Sequence, residues 1–241
     1  MTLLLSVLAL VLLLDLVVLV VLLPSLLIRL LLVPLFPRVV FCGRGRQKRL
    51  ALTIDDGPSG PGSEALLALL RELEVPATFF LIGTHLDCDQ RFPRRALQLG
   101  HDLGNHLWID EPSAGLPPAV FQQQLVDTER VIARAAAPAT LRWRWFRPGQ
   151  GWFHQTMLDA LAARRYRLVL GSIFPWDIRQ PPLWFVRLFV RLNAHPGGIL
   201  VLHDTPDLNR RTLETLRRIV PDLRRRGYRF VPLQELLDPA A

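Results

Sequence analysis

From about residue 50 to the C-terminus the sequence switches repeatedly between two patterns. Strand-like runs fall near 50–54, which is apolar and β-branched, and near 77–82, 101–104, 143–146, 167–170, 198–202 and 229–232. Between them, stretches near 63–73, 92–99, 117–136, 154–163, 183–193 and 209–225 read as helices. Strand–helix alternation argues for a parallel sheet with helices packed on it. About 190 residues suit one domain with a full core, and no internal repeat at a solenoid period is present.

In such folds the C-terminal ends of the strands gather the active site. The first strand ends in Thr53-Ile54-Asp55-Asp56-Gly57-Pro58, where Gly57-Pro58 stops it. Neighbouring strand residues point in opposite directions, so Asp55 and Asp56 can take different tasks, one on a metal and one on a proton. A polar turn is the other reading. Gly104 to Asp110 places His106 and Asp110 four apart, one face of a helical turn and a workable pair of ligands for one ion; a surface pair is the alternative. Phe146 to Gly151 reads as a tight turn carrying Arg147, or as an ordinary loop. Gly198 to Asp204 is a buried strand ending in His203 and Asp204, which could also be a capping pair.

Taken in order, these segments resemble the polysaccharide deacetylases, the NodB-homology hydrolases of carbohydrate esterase family 4. The family's T-F-D-D-G-P stands here as Thr53 to Pro58, with Ile54 for Phe. Its H-x-x-x-H stands as His106 to Asp110, with Asp for the second His, and its R-P-P-Y as Arg147-Pro148-Gly149-Gln150. Its Asp-Trp motif is matched at best by Trp176-Asp177, in reverse order, and its L-x-H by Val201-Leu202-His203. The resemblance runs from about Arg49 to Leu237. It implies an α/β fold, a distorted (β/α)7 barrel, and removal of acetyl groups from N-acetylated sugars of a polysaccharide or glycan.

The chemistry follows from the residues too. Asp56, His106 and Asp110 offer two carboxylates and one imidazole, and three protein ligands leave a coordination position open, as catalytic zinc sites do. Such an ion polarises an acetamide carbonyl and acidifies water. Asp55 then serves as general base and His203 as general acid. The resemblance assigns the same roles, makes Arg147 the residue that orients the base, and matches Asp177 to the acid that tunes the catalytic His. It gives the main-chain N–H at Gln150 to the oxyanion. Asp in place of the second His adds a hard oxygen, which moves the preference from Zn²⁺ toward Mn²⁺, Co²⁺ or Fe²⁺. His85, His101, His154 and His195 have no counterpart in the family motifs and read as solvated or loop histidines, with His101 held in reserve because it adjoins the second motif.

The N-terminus is a separate unit. Residues 1–36 are almost wholly Leu and Val, and Leu3 to Leu23 alone are 21 residues, enough to cross a hydrocarbon core of ~30 Å. With no basic start and no small-residue cleavage site, this reads as a retained single-pass transmembrane anchor, not a signal peptide. Asp15 lies mid-span, at a cost of ~3 kcal/mol on translocon scales. Residues 37–48 read as a basic linker and 49–241 as the catalytic domain. Basic residues follow the apolar run and none precede it, which places the domain in the cytoplasm; the resemblance implies an extracytoplasmic site. The +8 charge is carried by Arg clusters that attract anionic lipid or acidic polymer, and no nucleic-acid-binding motif accompanies them. Cys42 and Cys88 imply no disulfide, and there is no C-x-x-C. Oligomeric state is not legible. Two function classes remain: a membrane-anchored, metal-dependent deacetylase, or a non-catalytic saccharide-binding or scaffolding relative.

Overall fold

The computed structural model describes residues 6–7, 19–136 and 144–238. Among the described residues eight strands form one sheet, all neighbours parallel: β1 (Val39–Val40), β2 (Arg49–Asp55), β3 (Ala77–Leu81), β4 (Asp102–Asn105), β5 (Trp145–Phe146), β6 (Arg167–Val169), β7 (Gly198–His203) and β8 (Arg229–Phe230). Their order is β1–β6–β5–β4–β3–β2–β7, with β8 paired to the first residues of β2. The sheet curls until its edges meet through two isolated bridges, Cys42 to Gly198 and Ile173 to Leu200. The result is a distorted, incompletely closed barrel. Its helices are α1 (Pro61–Glu72), α2 (Phe92–Gln98), α3 (Pro118–Ala135), α4 (Gln155–Ala163), α5 (Leu183–Asn193), α6 (Asn209–Arg225) and α7 (Leu233–Leu237).

Period-two alternation builds the barrel and aims its chemistry. On β2, Leu50, Leu52 and Ile54 pack outward with Leu66 and Leu70 of α1 and Leu216 and Val220 of α6. Ala51 faces inward with Phe80, Trp145, Val169 and Ile199, and Val231, Leu233 and Leu236 complete this interior cluster. Thr53 and Asp55 share the face of Ala51 and lie farther toward the C-terminal end. Gly104 on β4 makes room for this interior: a Cβ there would lie 2.5 Å from the Phe80 ring. Helices and strands outside the site therefore follow the sequence pattern closely.

Residues 37–48 are not a linker: Val39 and Val40 pair with Leu168 and Val169, Phe41 is buried, and the Gly43 N–H donates to the Gly197 carbonyl at 2.8 Å. The basic, Gly-containing stretch 43–48 had masked the Val-Val-Phe run before it. Upstream, the chain is helical over Pro24–Leu27, widens into a π turn at Ile28–Leu32, and is helical again over Val33–Leu35. Among the described residues no helix is long and apolar enough to cross a membrane; most of Leu3 to Leu23 lies outside them. The described part packs on the barrel. Ile28 is buried in a cluster with Val39, Leu107 and Phe121. Asn193 of α5 accepts the Ser25 N–H at 3.1 Å and donates to the Leu22 carbonyl at 2.8 Å. The folded unit thus reaches back at least to Pro24.

Candidate active site

The C-terminal ends of β2, β4, β5 and β7 meet at the mouth of the barrel. All seven residues expected at the site (Asp55, Asp56, His106, Asp110, Arg147, Asp177 and His203) line one cavity of about 630 Å³. Asp55 and His203 stand side by side, in register on adjacent strands.

Asp55 is fixed by Arg147. The guanidinium Nη1 donates to Asp55 Oδ1 at 2.6 Å and to Thr53 Oγ1 at 2.8 Å, and Nε donates to the Val169 carbonyl at 2.9 Å. Its carbon lies 4.2 Å from the centre of the Phe80 ring. Both members of the ion pair are buried. A charge-assisted bond in such surroundings is short and directional, and removing either partner would strand a buried charge.

Asp56 adopts φ 69°, a left-handed conformation that Asp tolerates better than most residues. Its Oδ1 lies 3.3 Å from His106 Nε2. His106 Nδ1 donates to the Arg147 carbonyl at 2.7 Å, which leaves Nε2 as the ring's lone-pair atom when the ring is neutral. A neutral imidazole then presents an acceptor to a carboxylate, so the pair calls for a proton or a metal cation between them. Burial disfavours charge on both groups, yet the hydrogen bond and mutual attraction hold Asp56 below and His106 above their usual ranges, with Asp55 adding to the latter. This donor chemistry fits a divalent ion.

The third predicted ligand is not assembled with the other two. Residues 106–112 are not a helical turn: Leu107 sits at φ 69° and the chain bends irregularly, with Leu107 and Trp108 carbonyls accepting from Gly83 and Thr84 N–H. The four-residue spacing therefore does not bring His106 and Asp110 onto one face. Asp110 is exposed on the cavity wall, and among the described residues no three His, Cys, Asp or Glu side chains are grouped closely enough to hold an ion.

Trp176, in the left-handed region at φ 58°, reverses the chain so that Asp177 faces β7. Asp177 Oδ1 accepts from His203 Nδ1 at 3.0 Å and Oδ2 accepts the His203 N–H at 2.8 Å. Burial alone would depress the imidazole pKa; the Asp177 hydrogen bond and charge, with Asp55 and Asp56 behind them, raise it to about 9. The ring is held protonated at neutral pH. In the third-motif turn Gln150 has φ 61° and lines the cavity. Gly149 is required there, since a Cβ would lie 2.3 Å from the Glu111 carbonyl.

Two residues named in the sequence, His85 and Asp204, have supporting roles that its pattern does not reveal. His85 donates Nδ1–H to the Asp56 carbonyl at 2.7 Å and so fixes the left-handed backbone of the turn at Asp56. Asp204 is buried and accepts from Ser59 and Ser63, pinning the loop after β2. Neither bond spans a spacing that a sequence pattern reveals. His101 lies at the other end of β4, accepting the Ala77 N–H at 3.2 Å, and takes no part in the site.

A polysaccharide deacetylase family model matches residues 43–169. A peptidoglycan N-acetylglucosamine deacetylase of Bacillus cereus is 30% identical over 79% of this chain and 89% of its own. Among solved structures, a peptidoglycan N-acetylglucosamine deacetylase bound to an N-oxidanyl-benzamide superposes with a TM-score of 0.78 at 26% identity, covering 83% of this chain and 93% of that one. A family 4 acetyl xylan esterase from Clostridium thermocellum in complex with a cobalt ion gives 0.70 at 31% identity, over 78% and 90%. A family 4 pseudoenzyme from Bacillus anthracis gives 0.74 at 25% identity, over 83% and 69%. With a family model covering more than half of its length and a relative at 30% identity matched over nearly its full extent, the chain belongs to the polysaccharide deacetylase family.

Proposed function

We propose that this protein is a metal-dependent hydrolase that removes the acetyl group from an N-acetylated amino sugar. The observation that carries this reading is the pairing of a carboxylate and an imidazole, each held by its own charged partner, at adjacent strand ends: Asp55 held by Arg147 and His203 held by Asp177. Asp56 and His106 would hold a divalent ion, with Asp110 on the same cavity wall; Zn²⁺, Mn²⁺, Co²⁺ and Fe²⁺ all suit this set. Such an ion supplies Lewis acidity toward the amide carbonyl and toward water. Asp55 accepts a proton from the attacking water, and Arg147 keeps its carboxylate aimed. The water oxygen bonds to the acyl carbon, and the turn at Gln150 offers backbone N–H to the carbonyl oxygen. His203 gives its proton to the sugar nitrogen as the C–N bond breaks, so acetate and a free amine leave.

The apolar N-terminal run anchors the chain in a membrane in this reading. Its sequence supports that: 21 residues with one acid. Labelling of the exposed Cys88 in intact cells reports which side the domain occupies; Cys42, half-buried in the bridge to Gly198, is the poorer handle. The test of the metal reading is the metal content of the full-length protein and of Asp56→Asn. One equivalent of a divalent ion in the wild type, lost in the variant, supports it. No bound metal in either, after supply of all four ions, defeats it.

A further inference from the structure

The cavity that holds the catalytic groups is not walled by polar residues all round. Its lining also includes Leu170, Phe174, Trp176 and Ile178, and the N-terminal run adds Val20 and Pro24. The segment that reads as a membrane anchor therefore forms part of the catalytic pocket. From there the apolar surface continues outward. The N-terminal helical run exposes Leu26, Leu30, Leu31 and Leu35, spaced at i, i+4 in two pairs. It lies against α5 through Asn193, and α5 exposes Trp184, Leu188 and Leu192, again at i, i+4. Trp176 and Ile178 are half-exposed at the cavity rim. Large apolar patches of this kind mark a surface meant to be covered.

The chain itself says what covers it. Directly upstream of the pocket-lining Val20 lies the Leu- and Val-rich run from Leu3, which reads as bilayer-inserted. A chain leaving a bilayer just before Val20 sets the helices at 24–35 and α5 against the lipid surface. Exposed tryptophans and Arg29 fit the headgroup boundary.

From this we infer that the substrate is an amphiphile: an N-acylated amino sugar carried on a lipid, which enters from the bilayer with its sugar amide on the catalytic groups and its chain along the Val20–Ile178 wall. The inference rests on the deacetylase reading above and names its substrate class. A free polysaccharide would gain nothing from an apolar wall continuous with the membrane surface.

The test uses the full-length protein in phosphatidylcholine–phosphatidylglycerol vesicles. Acetate release is compared for hexadecyl N-acetylglucosaminide in the same vesicles, for soluble methyl N-acetylglucosaminide and for chitopentaose. The expected result is a kcat/KM at least tenfold higher for the hexadecyl glycoside. Val20→Asp should raise its KM more than it lowers kcat. The triple change of Trp184, Leu188 and Leu192 to Ser, remote from the cavity, should remove the advantage of membrane presentation and leave hydrolysis of the methyl glycoside as it was. A second measurement does not depend on turnover: a bromine-labelled alkyl N-acetylglucosaminide should quench the fluorescence of Trp176, the quenching disappearing in Trp176→Phe. Equal or greater activity on chitopentaose, without quenching, overturns the amphiphile inference while leaving the deacetylase reading intact. Quenching without acetate from any substrate upholds the lipid-linked ligand and overturns hydrolysis. Neither quenching nor acetate overturns both.

Discussion

Replacing Asp177 with Asn should move the alkaline limb of the pH profile and leave the acid side almost untouched. His203 sits at a pKa of about 9, against an ordinary 6.5, because Asp177 receives its Nδ1–H at 3.0 Å in a buried setting. Asn keeps one acceptor in place and removes the charge. The imidazole pKa then falls toward its ordinary 6.5, with only the Asp55 and Asp56 charges left to oppose burial. At pH 8 a pKa of about 9 leaves about 90% of the ring protonated, and a full return to 6.5 leaves about 3%, so turnover that needs the acid drops by up to about 30-fold. At pH 6 the same two values give nearly full and about 75% protonation, a loss well under twofold. The assay is kcat/KM for acetate release between pH 5.5 and 9.5. A uniform fall at all pH values would mean that Asp177 only positions the ring. An unchanged alkaline limb would mean that His203 is not the acid.

Other consequences follow from the fold. His101 is buried with its pKa lowered to about 4 by desolvation; the unfolded chain takes up the proton first, so stability is complete above pH 6.5 and falls by ~3 kcal/mol as pH drops to 4, a slope that urea titrations should find and that His101→Gln should flatten. Gly104→Ala forces a Cβ to within 2.5 Å of Phe80, at a cost of ~1–3 kcal/mol; because Arg147 stacks on that ring, kcat should fall more than the melting temperature alone explains. Starting the chain at Pro37 in place of Pro24 removes buried Ile28 and strips Asn193 of its Ser25 partner, ~3 kcal/mol together, so thermal unfolding should shift down by roughly 6–12 °C.

The barrel was legible because its strands and helices carry clean periods. Six helix stretches, from α1 at Pro61–Glu72 to α6 at Asn209–Arg225, lie within a few residues of where the pattern puts them, and seven of the eight strands do likewise; residue 143, at the start of the fifth expected run, lies outside the described residues. β1 is two residues long and its pairing with β6 spans about 130 residues of sequence, so no local pattern announces it. At the site, Asp55, Arg147, Asp177 and His203 meet as expected because strand ends converge in a curled sheet. Asp110 does not join Asp56 and His106, because a helical spacing was read into a segment that Leu107 turns out of the helix. His85 and Asp204 were invisible since their work is done on backbone and hydroxyl groups brought close only by the fold.

Free amine and acetate should appear in equal amounts when the full-length protein, loaded with a divalent ion, meets an N-acetylglucosamine glycoside or oligomer. Asp55→Asn should retain the fold and the ion yet lower turnover by two to four decades, the usual scale for a lost general base. Acetate release unaffected by Asp55→Asn would show that Asp55 is not the base, and no acetate from the metal-loaded wild type with any such substrate would leave a saccharide-binding relative in the deacetylase's place.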